Sequence, residues 1–185
     1  MTHLTSTAGF LQSYRICAAS EPWMQEGAVA LRHQVFVQEQ QVFTGDDRDA
    51  IDDGVAILLV AIAEDAGDGP YVVGTVRIHE PVPGSWWGSR LAVASDWRRV
   101  GNLGSELIRL AVGTARARGA FEFHAHVQRQ NVVLFRRLRW HQTGEVDLHG
   151  RPHVHMLADL AHYPMIHDPA AGWRIRAPGP VRATR

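Results

Sequence analysis

The residues best placed to do chemistry form the run Arg98-Arg99-Val100-Gly101-Asn102-Leu103-Gly104-Ser105. Two arginines offer forked donors to an oxyanion. Gly101 and Gly104 let the backbone turn sharply and come close to a ligand, and Asn102 is among the few other residues that accept positive φ. A helix starting here would present N–H groups that lack intrahelical partners, at the positive end of its dipole. That combination is an anion site, with phosphate the natural ligand. The run lacks the Lys-Ser/Thr of a nucleotide P-loop, and its spacing is not that of a dinucleotide fingerprint with an acidic residue about twenty positions on.

The elements that must position this run read clearly on both sides. Ser89 to Val93 is a short apolar strand leading in. Leu103, Leu107, Leu110, Ala111 and Thr114 recur at helical spacing afterwards, with Glu106 in the first turn, Arg116 and Arg118 in the last, and Gly119 as the stop. Upstream, Ser13 to Ala19 alternates as a first strand. Ser20 is expected to cap a long helical segment carrying Trp23, Ala28, Leu31, Val35 and Phe36. Val55 to Ala63 and Tyr71 to His79 predict two strands joined as a hairpin, and Trp86 and Trp87 read as packing residues. Downstream, Phe121 to Val127 alternates, with Phe121, Phe123, Ala125 and Val127 on one face and Glu122, His124 and His126 on the other. Gln130 to Trp140 predicts an amphipathic helix, and Glu145 to Leu148 with Val154 to Leu157 a closing hairpin.

Composition bounds the function. The chain has 185 residues, 45% hydrophobic and 21% charged, which is ordinary for one globular domain. Its formal net charge is zero, so no global field draws it to nucleic acid or to an acidic membrane, and neither partner is expected. All 19 basic residues are arginines, which removes lysine Schiff-base chemistry. One cysteine, Cys17, forms no internal disulfide and fits a reducing compartment. Met1 to Ser13 lacks the charged and apolar halves of a secretory signal, so the expected location is the cytoplasm. His149, His153 and His155 straddle a turn without a zinc-ligand spacing, and no metal is expected. Residues 1–12 read as a flexible N-terminus, 13–165 as the domain, and 166–185, rich in Pro, Gly, Ala and Arg, as an extended or disordered tail.

The strand Arg90-Leu-Ala-Val93 followed by Arg99-x-x-Asn102-x-Gly104 resembles the acyl-CoA-binding motif of GCN5-related N-acetyltransferases, Gln/Arg-x-x-Gly-x-Gly/Ala, with Asn102 in place of the middle glycine. Arg32-His-Gln-Val-Phe-Val-Gln-Glu-Gln40 resembles the opening of a subgroup of small bacterial acetyltransferases and, more loosely, of acyl-homoserine-lactone synthases. The resemblance implies a mixed α/β fold: a central, mostly antiparallel sheet flanked by helices, with two parallel strands, here Ser89 to Val93 and Phe121 to Val127, that splay apart. It implies transfer of an acetyl or other acyl group from acyl-CoA, as substrate, to an amine, by direct attack without an acyl-enzyme.

The cofactor contacts it implies are Leu91, Ala92 and Val93, the loop Arg98, Arg99, Val100, Gly101, Asn102, Leu103, Gly104 and Ser105, and Asn131 and Phe135 on the late helix. Phe135 stands where the family keeps the tyrosine that protonates the departing thiolate, and phenylalanine cannot do so. A base that takes the amine proton is sought in His126, Glu39 and Glu80. The acidic run Asp46 to Asp53, with Glu39, is expected near a cationic acceptor. The alternatives are an acyl-homoserine-lactone-synthase-like transferase and a non-catalytic acyl-CoA sensor. A homodimer is compatible with all of these.

Overall fold

The computed structural model describes residues 11–64 and 69–179. Eight strands form a single sheet in the order β6-β7-β5-β4-β3-β2-β1-β8. The strands are β1 (Leu11–Ala18), β2 (Ile57–Ala63), β3 (Tyr71–Val82), β4 (Ser85–Val93), β5 (Glu122–Gln128), β6 (Trp140–Leu148), β7 (Arg151–Ala158) and β8 (Trp173–Pro178). Every neighbouring pair is antiparallel except β4 and β5, which run parallel. The expected mixed sheet is therefore present.

Alternation on β2 decides which helix covers which face. Leu59 and Ala61 point into the larger core, which takes Leu107, Leu110 and Ala111 from helix α2 (Leu103–Ala117). Val60 and Ile62 point the other way, onto Met24 and Ala28 of helix α1 (Pro22–Arg32). Helix α1 starts one residue later than its expected Ser20 cap, with Pro22 preset at its first position. It then widens into a π-helical segment over His33–Glu39 that buries Val35 and Phe36. Such widening occurs mostly at functional positions. Short helix α3 (Val132–Arg137) precedes β6, so β6 already begins at Trp140, where the sequence had predicted the end of a longer helix.

Three details depart from the sequence reading. Trp86 enters the core as expected, but Trp87 on the opposite face does not. Phe121 lies before β5, is 69% exposed, and covers Gly84 in the β3–β4 turn. Residues 173–178, inside the stretch read as an extended or disordered tail, are strand β8, paired with β1 from Leu11↔Pro178 to Ile16↔Trp173. Tail residues 180–185 and most of the 1–12 segment lie outside the described residues. No described helix is long and apolar enough to cross a membrane.

Candidate active site

The centre of the sheet is built to come apart. Strands β4 and β5 pair only from Ser85↔Glu122 to Gly88↔Ala125, and their C-terminal halves diverge. Opposite the divergence β4 carries a bulge: Arg77 faces Ser89 and Thr75 faces Ala92, so Arg90 and Leu91 share one partner residue. Arg90 sits at φ 55°, a left-handed conformation that a non-glycine residue holds only when its surroundings impose it.

What imposes it is a buried ionic lattice. Arg90 donates to the Asp47 carbonyl (Nη2, 2.9 Å) and to the Asp49 carboxylate (3.1 Å), and lies 4.4 Å over the Phe43 ring. Arg32, fully buried, donates to Asp47 at 2.7 Å and forks onto Asp52 at 2.7 and 3.0 Å. Arg77, also buried, forks onto Asp49 at 2.6 and 2.9 Å and reaches Asp52 at 2.7 Å. The acidic run expected to grip a cationic acceptor therefore grips three arginines of its own chain. Burial raises the carboxyl pKa of Asp52, but hydrogen bonds from Arg32 and the Asp49 N–H, with the charges of Arg32 and Arg77, outweigh it and hold the group well below the carboxylate range.

A channel of about 410 Å³ passes through the divergence. On the α2 side its wall is apolar, including Ile108, Phe123, Phe135 and Trp140. On the α1 side it is aromatic and imidazole-rich, including Phe36, Phe43, Trp87, His126 and His149. Leu91, Asn131, Phe135 and His126, all singled out in the sequence, line it together. Trp87 lies flat against His124 and His155, with ring centroids 4.9 and 5.3 Å away. Those two imidazoles share a hydrogen bond of 3.0 Å, and His124 reaches Glu122 at 3.2 Å. The Trp87 ring is thereby fixed as a wall.

The anion loop sits where the β4 strand ends. Gly101 (φ 54°) and Asn102 (φ 53°) are both left-handed, which swings the chain into α2. Val100 and Leu103 anchor the turn in the core, and a Cβ on Gly104 would meet nothing nearer than Val93 Cγ2 at 3.9 Å, so the space before the helix start is open. Arg99 is exposed. Arg98 donates to Val93 O at 3.0 Å and pairs with Glu39. Ala92 is buried and pairs with Thr75, so it can offer only its remaining backbone groups. Gly101 rests on Ile175 and Ala177 of β8, and Trp173 Nε1 donates to Glu106 at 2.8 Å. In the sequence, the strand signal of the tail, the alternation Trp173-Arg-Ile-Arg-Ala177, is outweighed by the surrounding Pro, Gly and Ala.

The three base candidates do not converge. Only His126 lines the channel. It is open to solvent on one side; its contact with the channel wall and then the charges of His155, His153 and His124 lower its pKa, so it is neutral near pH 7. Glu39 is committed to Arg98. Glu80 accepts from the Gly84 N–H at 2.6 Å and fastens the β3–β4 turn, away from the channel. In the channel wall Phe135 packs edge-on to Trp140, 5.0 Å between centroids. The phenol behind it, Tyr163, donates to Leu138 O at 2.5 Å and accepts from Trp140 Nε1 at 2.9 Å, and burial pushes its pKa up to about 12. Gln128, which carries no distinguishing signal in the sequence, donates across the channel at 3.0 Å to Gln40, the last residue of the Arg32 to Gln40 motif, and His153, noted in the sequence with His149 and His155, lines the channel with its Nδ1 donating to Arg151 O at 2.8 Å. Among the described residues no group of three or more His, Cys, Asp and Glu is arranged to hold a metal ion.

A mixed sheet parting around a channel, with an open helix start beside it, defines an acyltransferase fold. The chain belongs to the Acetyltransferase (GNAT) family, whose model matches residues 15–138. No curated protein matches it. Among solved structures it is similar to a Lactobacillus plantarum protein described as a candidate N-acetyltransferase: 21% identity, 80% of this chain and 98% of that one, TM-score 0.68. It is similar also to an acyl-CoA N-acyltransferase from Pseudomonas aeruginosa, with 19% identity, 78% and 98% coverage, and a TM-score of 0.62. A CoA-dependent acyl-homoserine lactone synthase, BjaI, aligns at 20% identity over 80% of this chain and 83% of its own, TM-score 0.65.

Proposed function

We propose that the protein transfers an acyl group, most simply acetyl, from acyl-CoA directly to an amine. The observation that carries this reading is the channel through the β4–β5 divergence, with the open start of α2 at the end of β4. The pyrophosphate lies on the N–H groups of Gly101 to Ser105 with Arg99 beside it. The pantetheine arm pairs with the free edge of β4 around Leu91 and Val93, and the thioester reaches the gap beyond Gly88 and Ala125. The amine approaches from the α1 side. Its lone pair forms the N–C bond as the C–S bond breaks, a β4 backbone N–H stabilises the oxyanion, and the nitrogen's proton passes to His126 or to water. Solvent protonates the thiolate, because Phe135 has no proton to give and Tyr163 is committed elsewhere.

A second reading, an acyl-CoA sensor without turnover, is favoured by Phe135 alone. Titrating CoA into the purified protein by calorimetry, and then following free thiol with acetyl-CoA and an amine panel, separates the two. Thiol release that depends on an added amine supports transfer; binding without release supports the sensor; no CoA binding refutes both.

A further inference from the structure

The α1 side of the channel carries a chemical preference of its own. Among the described residues three of its lining residues bear a full charge, Asp49, Arg77 and Arg90, and the lattice balances them, with Arg32, Arg77 and Arg90 set against Asp47, Asp49 and Asp52: Arg77 forks onto Asp49 and reaches Asp52, and Arg90 holds Asp47 and Asp49 at 3.1 Å. No carboxylate there is left for an ammonium, and no guanidinium for a carboxylate. The remaining wall is flat and apolar. Trp87 is held rigid by the His124–His155 pair, Phe43 lies 6.5 Å edge-on to Phe36 and 4.5 Å from the His149 ring, and Ile51 and Pro81 fill between. Burial and then the Arg77 charge lower the His79 pKa, as the channel wall does that of His126, so these two imidazoles add no charge near neutral pH. Polar contacts come from the Gln40–Gln128 pair, Ser89 and the imidazoles. An alkylamine entering as its ammonium would exchange its hydration for neutral polar groups and ring faces, with no unpaired carboxylate to hold its charge.

We infer that the acceptor is a flat, uncharged aromatic amine, an arylamine, whose ring lies against Trp87 beside the Phe36–Phe43 pair. This rests on the acyl-transfer reading above. The chemistry suits a base as weak as His126. An arylamine nitrogen holds a free lone pair at neutral pH, so no base is needed before attack; His126 or water takes the proton only as the C–N bond forms and the C–S bond breaks.

The test compares aniline with benzylamine, which has the same ring on a cationic nitrogen, and with spermidine, at pH 7.5 with acetyl-CoA. Aniline is expected to show a kcat/KM at least about tenfold above either, and Trp87→Ala to raise the aniline KM by about tenfold while CoA affinity stays the same. Preference for benzylamine or spermidine overturns the inference and leaves acyl transfer standing. If CoA binds and no amine releases thiol, acyl transfer fails instead. Calorimetry of the three amines with CoA-loaded protein then decides the chamber: binding of aniline alone supports it, and binding of spermidine or of none overturns it.

Discussion

Replacing Arg32 by Met should unfasten the lattice that holds the β4 bulge. Arg32 has no solvent exposure and supplies four hydrogen bonds: two to Asp47, at 2.7 Å to the carboxylate and 3.3 Å to the carbonyl, and two to Asp52. Methionine fills much of the volume but leaves Asp47, whose side chain is fully buried, with Arg90 at 3.1 Å, and Asp52 with Arg77 at 2.7 Å. Removing one partner from a buried ionic group costs about 3–5 kcal/mol, because the remaining charge stays desolvated. In a domain of this size that lowers Tm by roughly 6–20 °C. Scanning calorimetry of the two proteins reads this directly. Arg32→Lys keeps the charge without the fork and should fall between them. A Tm for Arg32→Met within about 3 °C of the parent would refute the assignment of structural weight to this lattice.

The same lattice sets the acid limit of the fold. In Asp49, as in Asp52, burial acts to raise the pKa and the arginines overcome it, so both folded-state values are depressed. Groups of this kind contribute stability that is present above their unfolded pKa of about 3.9 and lost as the pH falls below it. Urea midpoints should therefore hold steady near neutrality and drop steeply below about pH 4, and this drop should shrink in Asp52→Asn.

Three further outcomes are expected. Gly104→Glu places a carboxylate in the open space before α2 and should abolish CoA binding by calorimetry while the far-UV spectrum and Tm are kept; retained micromolar affinity, worth about 8 kcal/mol, counts against the loop assignment. His126→Gln should lower kcat by about a hundredfold if the imidazole takes the amine proton, and the parent's kcat/KM should fall only below about pH 6.5, since the histidine pKa is depressed; an unchanged rate assigns that proton to water. Gly172→Ala drives a Cβ to 1.9 Å from Ile16 O, so β8 should detach; hydrogen exchange at 173–178 should rise, and CoA affinity should fall with it because Gly101 rests on Ile175 and Ala177.

Local chemistry made much of this protein legible from its residues. The periodicity from Leu103 to Thr114, the left-handed tolerance of Asn102 and the alternation from Phe123 to Val127 each depend on near neighbours, and each matches the structure. Phe121 departs because one exposed turn position is indistinguishable from a strand's first residue. Neither the company that charged residues keep nor the use of the tail follows from the sequence by itself. The run from Asp46 to Asp53 reads equally well as a ligand site or as a latch, and only the fold brings Arg77 and Arg90, 28 and 41 residues beyond Asp49, into its reach. Glu39, Glu80 and His126 looked alike as bases until tertiary contacts committed two of them to Arg98 and Gly84 and left the third facing the channel. Strand β8 is short, its apolar Trp173, Ile175 and Ala177 alternating with Arg174 and Arg176, and its order comes from the edge of β1 and the underside of the Gly101 turn, neither of which is near it in the chain. Helical and strand periodicities are properties of a few consecutive residues, whereas ion pairing, sheet edges and channel walls are made by segments that only folding brings together.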